Sequence, residues 1–297
     1  MSPGAADRRA LLAVPLLGVL WGLNWPAVRL CLVEIPPWTL RTTGMAAAGL
    51  CLLLAALLGG RPLAVPRRHL ARLVTGGLLT LAAFNVLLAF AQLHAATSRA
   101  AIVAFTMPVW TALLAWPLLG ERPDRRRLVG LALGIAGLLA LGLPLWRAEK
   151  LTIGLLFALL GGMCWAAGTV IAKRWPIDAA ALPVAAWQLL IGAAAAGIGM
   201  LAFEGLPRPH ATMPITAAAL AYHVLLAQAL AYLLWFAILP RLPAGAATLG
   251  TLLVPAVGVL GATALLGERP SAADLAGLLL VIAAAATILL PQARTRP

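Results

Sequence analysis

Apolar runs of about twenty residues, separated by short clusters of Pro, Gly and Arg, follow one another along the whole chain. Ten can be counted, at about 11–32, 37–58, 70–92, 97–119, 128–146, 152–173, 181–203, 214–239, 243–266 and 272–290. A helix rises about 1.5 Å per residue and a bilayer's hydrocarbon core is about 30 Å thick, so each run predicts one membrane-spanning helix. The breaks are brief, as at Pro36-Pro37, Gly59-Gly60-Arg61-Pro62 and Pro207-Arg208-Pro209, and leave no room for a soluble domain. Arg8-Arg9 before the first run superficially resembles a secretory or twin-arginine signal. The run continues past signal-peptide length to Leu32 without a small-residue cleavage site, and is read as a retained first span.

The pattern also repeats at long range. Arg99 to Pro108, followed by Leu118-Leu-Gly-Glu-Arg-Pro123 and an apolar run, returns as Ala246 to Pro255 and Leu265-Leu-Gly-Glu-Arg-Pro270. Pro108 pairs with Pro255, Gly120 with Gly267 and Glu121 with Glu268, all at an offset of 147 residues. Two copies of one unit are therefore expected, over residues 1–147 and 148–297.

Charge gives the orientation. Basic residues number 22 against nine acidic ones, and with the N-terminus inside, fifteen of the 22 fall at cytoplasmic ends and six at outer ends, Arg41 lying just inside the second span. That asymmetry puts both termini in the cytoplasm and reads the net charge of +13 as membrane orientation rather than a nucleic-acid surface. A unit of five helices is odd, so the second copy crosses upside down. The first Gly-Glu-Arg-Pro is followed by Arg125-Arg126-Arg127 and falls inside; the second is followed by Ser271-Ala-Ala-Asp274 and falls outside. The expected fold is an all-α integral membrane protein of ten transmembrane helices, arranged as two inverted five-helix repeats. In transporters built this way, substrate is held near the midplane between the halves.

Trp21-Gly-Leu-Asn24 with Arg29, Pro37 through Arg41, Leu-Gly-Glu-Arg-Pro and Gly130 through Gly137 carry a resemblance, answered in the second copy by Trp165, Lys173, Gln188 and a second Leu-Gly-Glu-Arg-Pro. The chain resembles the drug/metabolite transporter superfamily, in particular its EamA-type ten-helix members, over nearly its whole length. The resemblance implies an inner-membrane carrier, often an exporter of amino acids or other small metabolites.

The absences narrow the chemistry. All nine acidic residues lie in loops or at predicted helix ends. A mid-bilayer charge costs at least about 3 kcal/mol on insertion scales and is normally kept for function. An intramembrane aspartyl protease is thereby excluded, no HExxH is present for a metalloprotease, and no Lys/Arg cluster is available for a sugar phosphate. Cys31, Cys51 and Cys164 are odd in number, lie in apolar runs and lack metal spacing, so they read as apolar filler. No catalytic residue, metal or cofactor is expected. The partners are a small-molecule substrate and the lipid bilayer, without nucleic acid, the protein being a monomer or weak homodimer.

Aromatic and neutral polar side chains remain near the centre. On the first helix, Trp21, Asn24, Trp25 and Val28 share a face; on the third, Asn85, Leu88 and Gln92 do, beside Phe84; on the eighth, Gln228, Tyr232 and Trp235 do. The 147-residue offset lays Tyr232 on Asn85. Trp110 on the fourth helix and Trp165 with Thr169 on the sixth complete an expected cavity lining. The other readings are interfacial anchoring or packing for the Trp residues, and interhelical hydrogen bonding for Asn24 and Asn85. Trp38, Trp116, Trp146, Trp175 and Trp187 read as interfacial. Arg41 reads as an outer-end charge that snorkels or pairs with Glu34; the alternative is an anchor for a substrate carboxylate at the outer mouth. His223 lies about 140° round an α-helix from Gln228 and reads as packed or lipid-edge rather than as a proton carrier. Pro108 and Pro255 read as paired hinges, Glu121 and Glu268 as helix-end caps, and Gly130 and Gly134 as close helix packing. The function expected is a secondary carrier, an exporter by resemblance, moving small neutral or zwitterionic amphipathic metabolites by alternating access. The alternative cargo is a lipophilic cation held by cation–π contacts.

Overall fold

Apolar periodicity without turn chemistry inside the runs dictates helices, and helices are what form. The computed structural model describes residues 3–120, 125–147, 152–207, 212–238 and 253–289, and among these every regular element is helical. In chain order they are α1 (Pro3–Cys31), α2 (Pro37–Leu58), α3 (Arg67–His94), α4 (Thr97–Leu119), α5 (Arg125–Arg147), α6 (Ile153–Arg174), α7 (Ala181–Phe203), α8 (Pro214–Ala237), α9 (Leu253–Leu266) and α10 (Ala272–Leu289). Six of them, α2, α3, α4, α6, α7 and α8, are long and apolar enough to cross a bilayer, and shorter apolar stretches occupy 128–141, 253–266 and 272–284. Glu121, the Trp146 side chain and residues 243–252 of the ninth predicted span lie outside the described residues.

The most extensive helix packing joins the first half of the chain to the second: α2 on α7, α5 on α10, α1 on α9 and α3 on α6. Small residues set these approaches, because a bilayer supplies no hydrophobic drive between helices and close van der Waals contact must do the work. A methyl on Gly22 would stand 2.5 Å from Val257 Cβ, and one on Gly49 2.8 Å from Leu190 Cγ. On α5, Gly134 meets Val109, while Gly137 meets Val281 and the Gly277 carbonyl. Large apolar side chains such as Leu58, Ile198, Phe203, Leu260 and Leu279 point outward and are exposed, as a lipid-facing surface requires. Gly120 and Gly267 both have φ near +70° (70° and 68°) at the ends of α4 and α9, a backbone conformation that glycine adopts without Cβ strain.

Two helices depart from α geometry at matched places. The segment Gly77–Ala83 of α3 and the segment Tyr222–Leu230 of α8 are π-helical. Shifted by the repeat offset, the first falls inside the second. Helix α4 is also interrupted, its first part ending at Ala104 and its second starting at Met107, with Pro108 in the first turn of the second part. A proline there sacrifices no intrahelical bond, which is why the break precedes it.

Candidate functional site

A π-helical turn bonds residue i to i+5, so side chains five apart share a face as i and i+4 do in an α-helix, and such turns favour functional sites. In α8 this places His223 beside Gln228. In the same segment the Ala227 carbonyl accepts the Trp21 indole N–H at 3.1 Å.

The polar centre is built outward from Arg41. Its side chain is 2% exposed and has no carboxylate partner among the described residues. A lone buried cation is costly unless hydrogen-bonded. A guanidinium only donates, so Asn85 must present Oδ1 to it, and Arg41 Nη1 reaches that oxygen at 3.3 Å. The Asn85 amide then points the other way, to the Leu81 carbonyl at 2.9 Å and Tyr232 Oη at 3.3 Å. Since Asn85 Oδ1 is an acceptor, Gln228 must turn its NH2 toward it, at 3.0 Å. On the other flank, Arg41 Nη1 stands 3.5 Å from His223 Nε2, while His223 Nδ1 lies 2.7 Å from Asn24 Oδ1. Those two neighbours fit one tautomer, with the proton on Nδ1 donated to Asn24 and the Nε2 lone pair facing Arg41.

Beside this network lies an aromatic box. Trp21 packs edge-on to Trp165 (5.6 Å) and Tyr232 (5.4 Å), tilts against Trp235 (5.7 Å), and Phe84 sits 4.7 Å from Trp165. Each such pair is worth about 0.5–1.5 kcal/mol beyond its buried area.

Network and box together wall a cavity of about 920 Å³. Its lining runs from Arg41, Asn85 and Gln92 in the buried interior to Arg61, Lys173 and Ala180, which are exposed. Among the described residues the cavity therefore reaches the surface at that end. At the other end the two halves are bonded together. The Glu268 carboxylate accepts the Thr97 and Ser98 N–H groups at the start of α4 (2.7 and 2.9 Å). Glu204 accepts those of Trp38 and Thr39 at the start of α2 (2.9 and 2.7 Å), and Arg99 pairs with Asp274 at 2.8 Å. A carboxylate at a helix N-terminus satisfies orphan donors and complements the helix dipole. At the open end the Arg68–Asp178 pair, at 3.4 Å, is solvent-exposed, and such pairs contribute little.

Of the side chains expected from sequence, Trp21, Asn24, Arg41, Phe84, Asn85, Trp165, Thr169, Gln228 and Tyr232 all border this cavity, as does Pro108. Trp110 does not border it; its indole N–H turns back along α4 to Thr106 Oγ1 at 3.0 Å. Pro255 is not among the lining residues, although its chain neighbour Val254 is. The pairing of Arg41 with Glu34 does not form: the Glu34 carboxylate accepts the Met213 N–H at 3.1 Å, and Arg41 turns inward. His223 is fully buried, so a lipid-edge position is excluded. Gln188, the counterpart of Arg41, lines the cavity too, with Thr80 and Thr111. No Asp or Glu borders it among the described residues.

The chain matches the model of the EamA-like transporter family twice, over residues 8–143 and 152–290. An uncharacterized protein of Pseudomonas aeruginosa is 33% identical over 291 residues, covering 96% of both chains. A Salmonella typhimurium protein named "Probable amino-acid metabolite efflux pump" is 29% identical over 90% of each chain. The uncharacterized transporter YvbV of Bacillus subtilis is 27% identical over 92% of this chain and 89% of its own. One chain of a solved crystal structure shares the fold, with a TM-score of 0.66 at 22% identity, covering 93% of this chain and 96% of that one.

Proposed function

Because the chain belongs to the EamA-like transporter family, we propose that it is an inner-membrane secondary carrier exporting small zwitterionic metabolites, amino acids foremost. The ten helices form two inverted five-helix units, residues 1–147 and 148–297, that rock about the central cavity. The packing pattern supports this reading. Exchanging each helix for the one five places along turns α1 on α9 into α6 on α4, and leaves α2 on α7 and α5 on α10 unchanged, all of them pairs in contact. That is the signature of a two-fold relation between the halves.

The observation that carries the proposal is a cavity closed by cross-half bonds at one end and open at the other. The excess of basic residues at the open end makes it the cytoplasmic one. In this state the protein receives cargo from inside. Aromatic walls take the apolar part of the cargo and the amides orient its polar end. The relative named an amino-acid metabolite efflux pump supports the substrate class and the direction. The lipophilic-cation alternative is disfavoured by Arg41, a fixed positive charge in the lining with no carboxylate beside it among the described residues. Counterflow in proteoliposomes tests the proposal: preloaded unlabelled apolar amino acids should drive uptake of the labelled form, and a panel of amino acids that all fail to exchange would reject it.

A further inference from the structure

Three polar atoms on side chains of the cavity's inner lining are buried without a hydrogen-bond partner among the described residues: Arg41 Nε, Gln228 Oε1 and Gln92 Oε1. Native proteins satisfy nearly all buried polar groups, so an orphan donor and an orphan acceptor in one lining call for a ligand that supplies both complements. Two of the three, on Arg41 and Gln228, belong to side chains bonded to the same atom, Asn85 Oδ1, at 3.3 and 3.0 Å, which holds them as neighbours. Their polarities are fixed by the chain of donors. Arg41 has only donors to give, which makes Asn85 Oδ1 an acceptor, which makes the Gln228 NH2 the donor to it and leaves Gln228 Oε1 turned away.

We infer that Arg41 and Gln228 form a headgroup site for a substrate bearing a carboxylate and an ammonium on one carbon. The carboxylate sits on Arg41, whose Nε–H completes its bonding there and whose charge finds the counter-ion that the described lining lacks. The ammonium sits on Gln228 Oε1, a neutral acceptor that leaves the site able to release it. The apolar side chain of the substrate extends into the box of Trp21, Phe84, Trp165 and Trp235. A monoamine lacking the carboxylate meets an unneutralised guanidinium. A monocarboxylate lacking the ammonium fills half of the site. The inference rests on the amino-acid carrier reading and specifies how that cargo is held.

Competition against counterflow of apolar L-amino acids in proteoliposomes of the full chain tests it, using for each amino acid its decarboxylated amine and its deaminated acid. In the wild type the amine should fail to compete, the acid should compete weakly, and the amino acid should be favoured over the amine at least about tenfold, the worth of a charge-assisted bond. Arg41→Gln should raise the apparent dissociation constant for the amino acid at least about tenfold and erase its advantage over the amine, with Arg41→Lys intermediate. Gln228→Leu should erase the advantage over the deaminated acid only. A wild type that carries the amine as well as the amino acid overturns the headgroup site without any variant being needed, and leaves the carrier reading standing. An Arg41→Gln protein with unchanged selectivity does the same. Absence of exchange for every amino acid rejects the carrier reading and the headgroup site with it.

Discussion

Asn85 and Tyr232 stand one repeat apart, 147 residues, and their side chains meet, Asn85 Nδ2 donating to Tyr232 Oη at 3.3 Å. In the two-fold arrangement proposed above, equivalent positions touch only close to the axis. The same Asn85 orients Arg41 and Gln228 through its oxygen, so the hub of the polar network sits where the two halves come together.

Substituting that hub separates stability from transport. Asn85→Leu removes the amide oxygen that Arg41 donates to, leaving only His223 Nε2 beside the buried guanidinium among the described residues, and should lower stability by about 2–4 kcal/mol, read as a drop in melting temperature in detergent. Asn85→Asp gives Arg41 a permanent carboxylate. It should keep the fold while reducing amino-acid counterflow at least about tenfold, since the internal charge occupies the guanidinium that cargo needs.

The closed end depends on Glu268. Glu268→Ala removes the acceptor of the Thr97 and Ser98 N–H groups, worth about 1–2 kcal/mol as a helix cap. Hydrogen–deuterium exchange at those two amides should speed by roughly tenfold, with Glu268→Gln less affected. Exchange elsewhere in α4 should stay slow.

Close packing of the halves can be tested away from the cavity. Gly22→Ala drives a methyl to 2.5 Å from Val257 Cβ and should cost about 1–3 kcal/mol by overpacking. Gly197→Ala meets only Thr42 Cγ2 at 3.5 Å, an ordinary contact, and should be close to neutral in the same thermal-unfolding assay.

Coupling follows from what the lining contains. No carboxylate borders the cavity among the described residues, and both ring nitrogens of His223 already face partners. Net amino-acid flux down its own gradient should therefore proceed without a pH gradient. Flux that stops when the gradient is collapsed would show that a proton must move with the cargo.

Much of this architecture could be read from the residues themselves. The 147-residue offset put Asn85 and Tyr232 at one depth, and α-helical periodicity put Trp21 with Asn24, and Gln228 with Tyr232, on inward faces that do line the cavity. The packed reading of His223 holds, but its approach to Arg41 and Asn24 is invisible at 100° per residue, a spacing that does not hold in Tyr222–Leu230. A π-helical turn is chosen by tertiary packing, and no residue type announces it. Arg41 was read outward because sequence distance to Glu34 is short, whereas burial is decided by α3 and α8, which carry Asn85 and His223. Trp110 shows the reverse failure: the break after Ala104 leaves Thr106 one turn before it, and its indole bonds there instead of facing the cavity.

The proposed carrier needs oppositely mounted halves, so that one cavity can face each side in turn. Single cysteines placed at Arg125 and Ser271, in a background free of Cys31, Cys51 and Cys164, can be labelled with a membrane-impermeant maleimide from each side of sealed vesicles. Labelling from opposite faces, Arg125 cytoplasmic and Ser271 external, is the expected result. Labelling of both from the same face would contradict the inverted arrangement and, with it, the alternating gate.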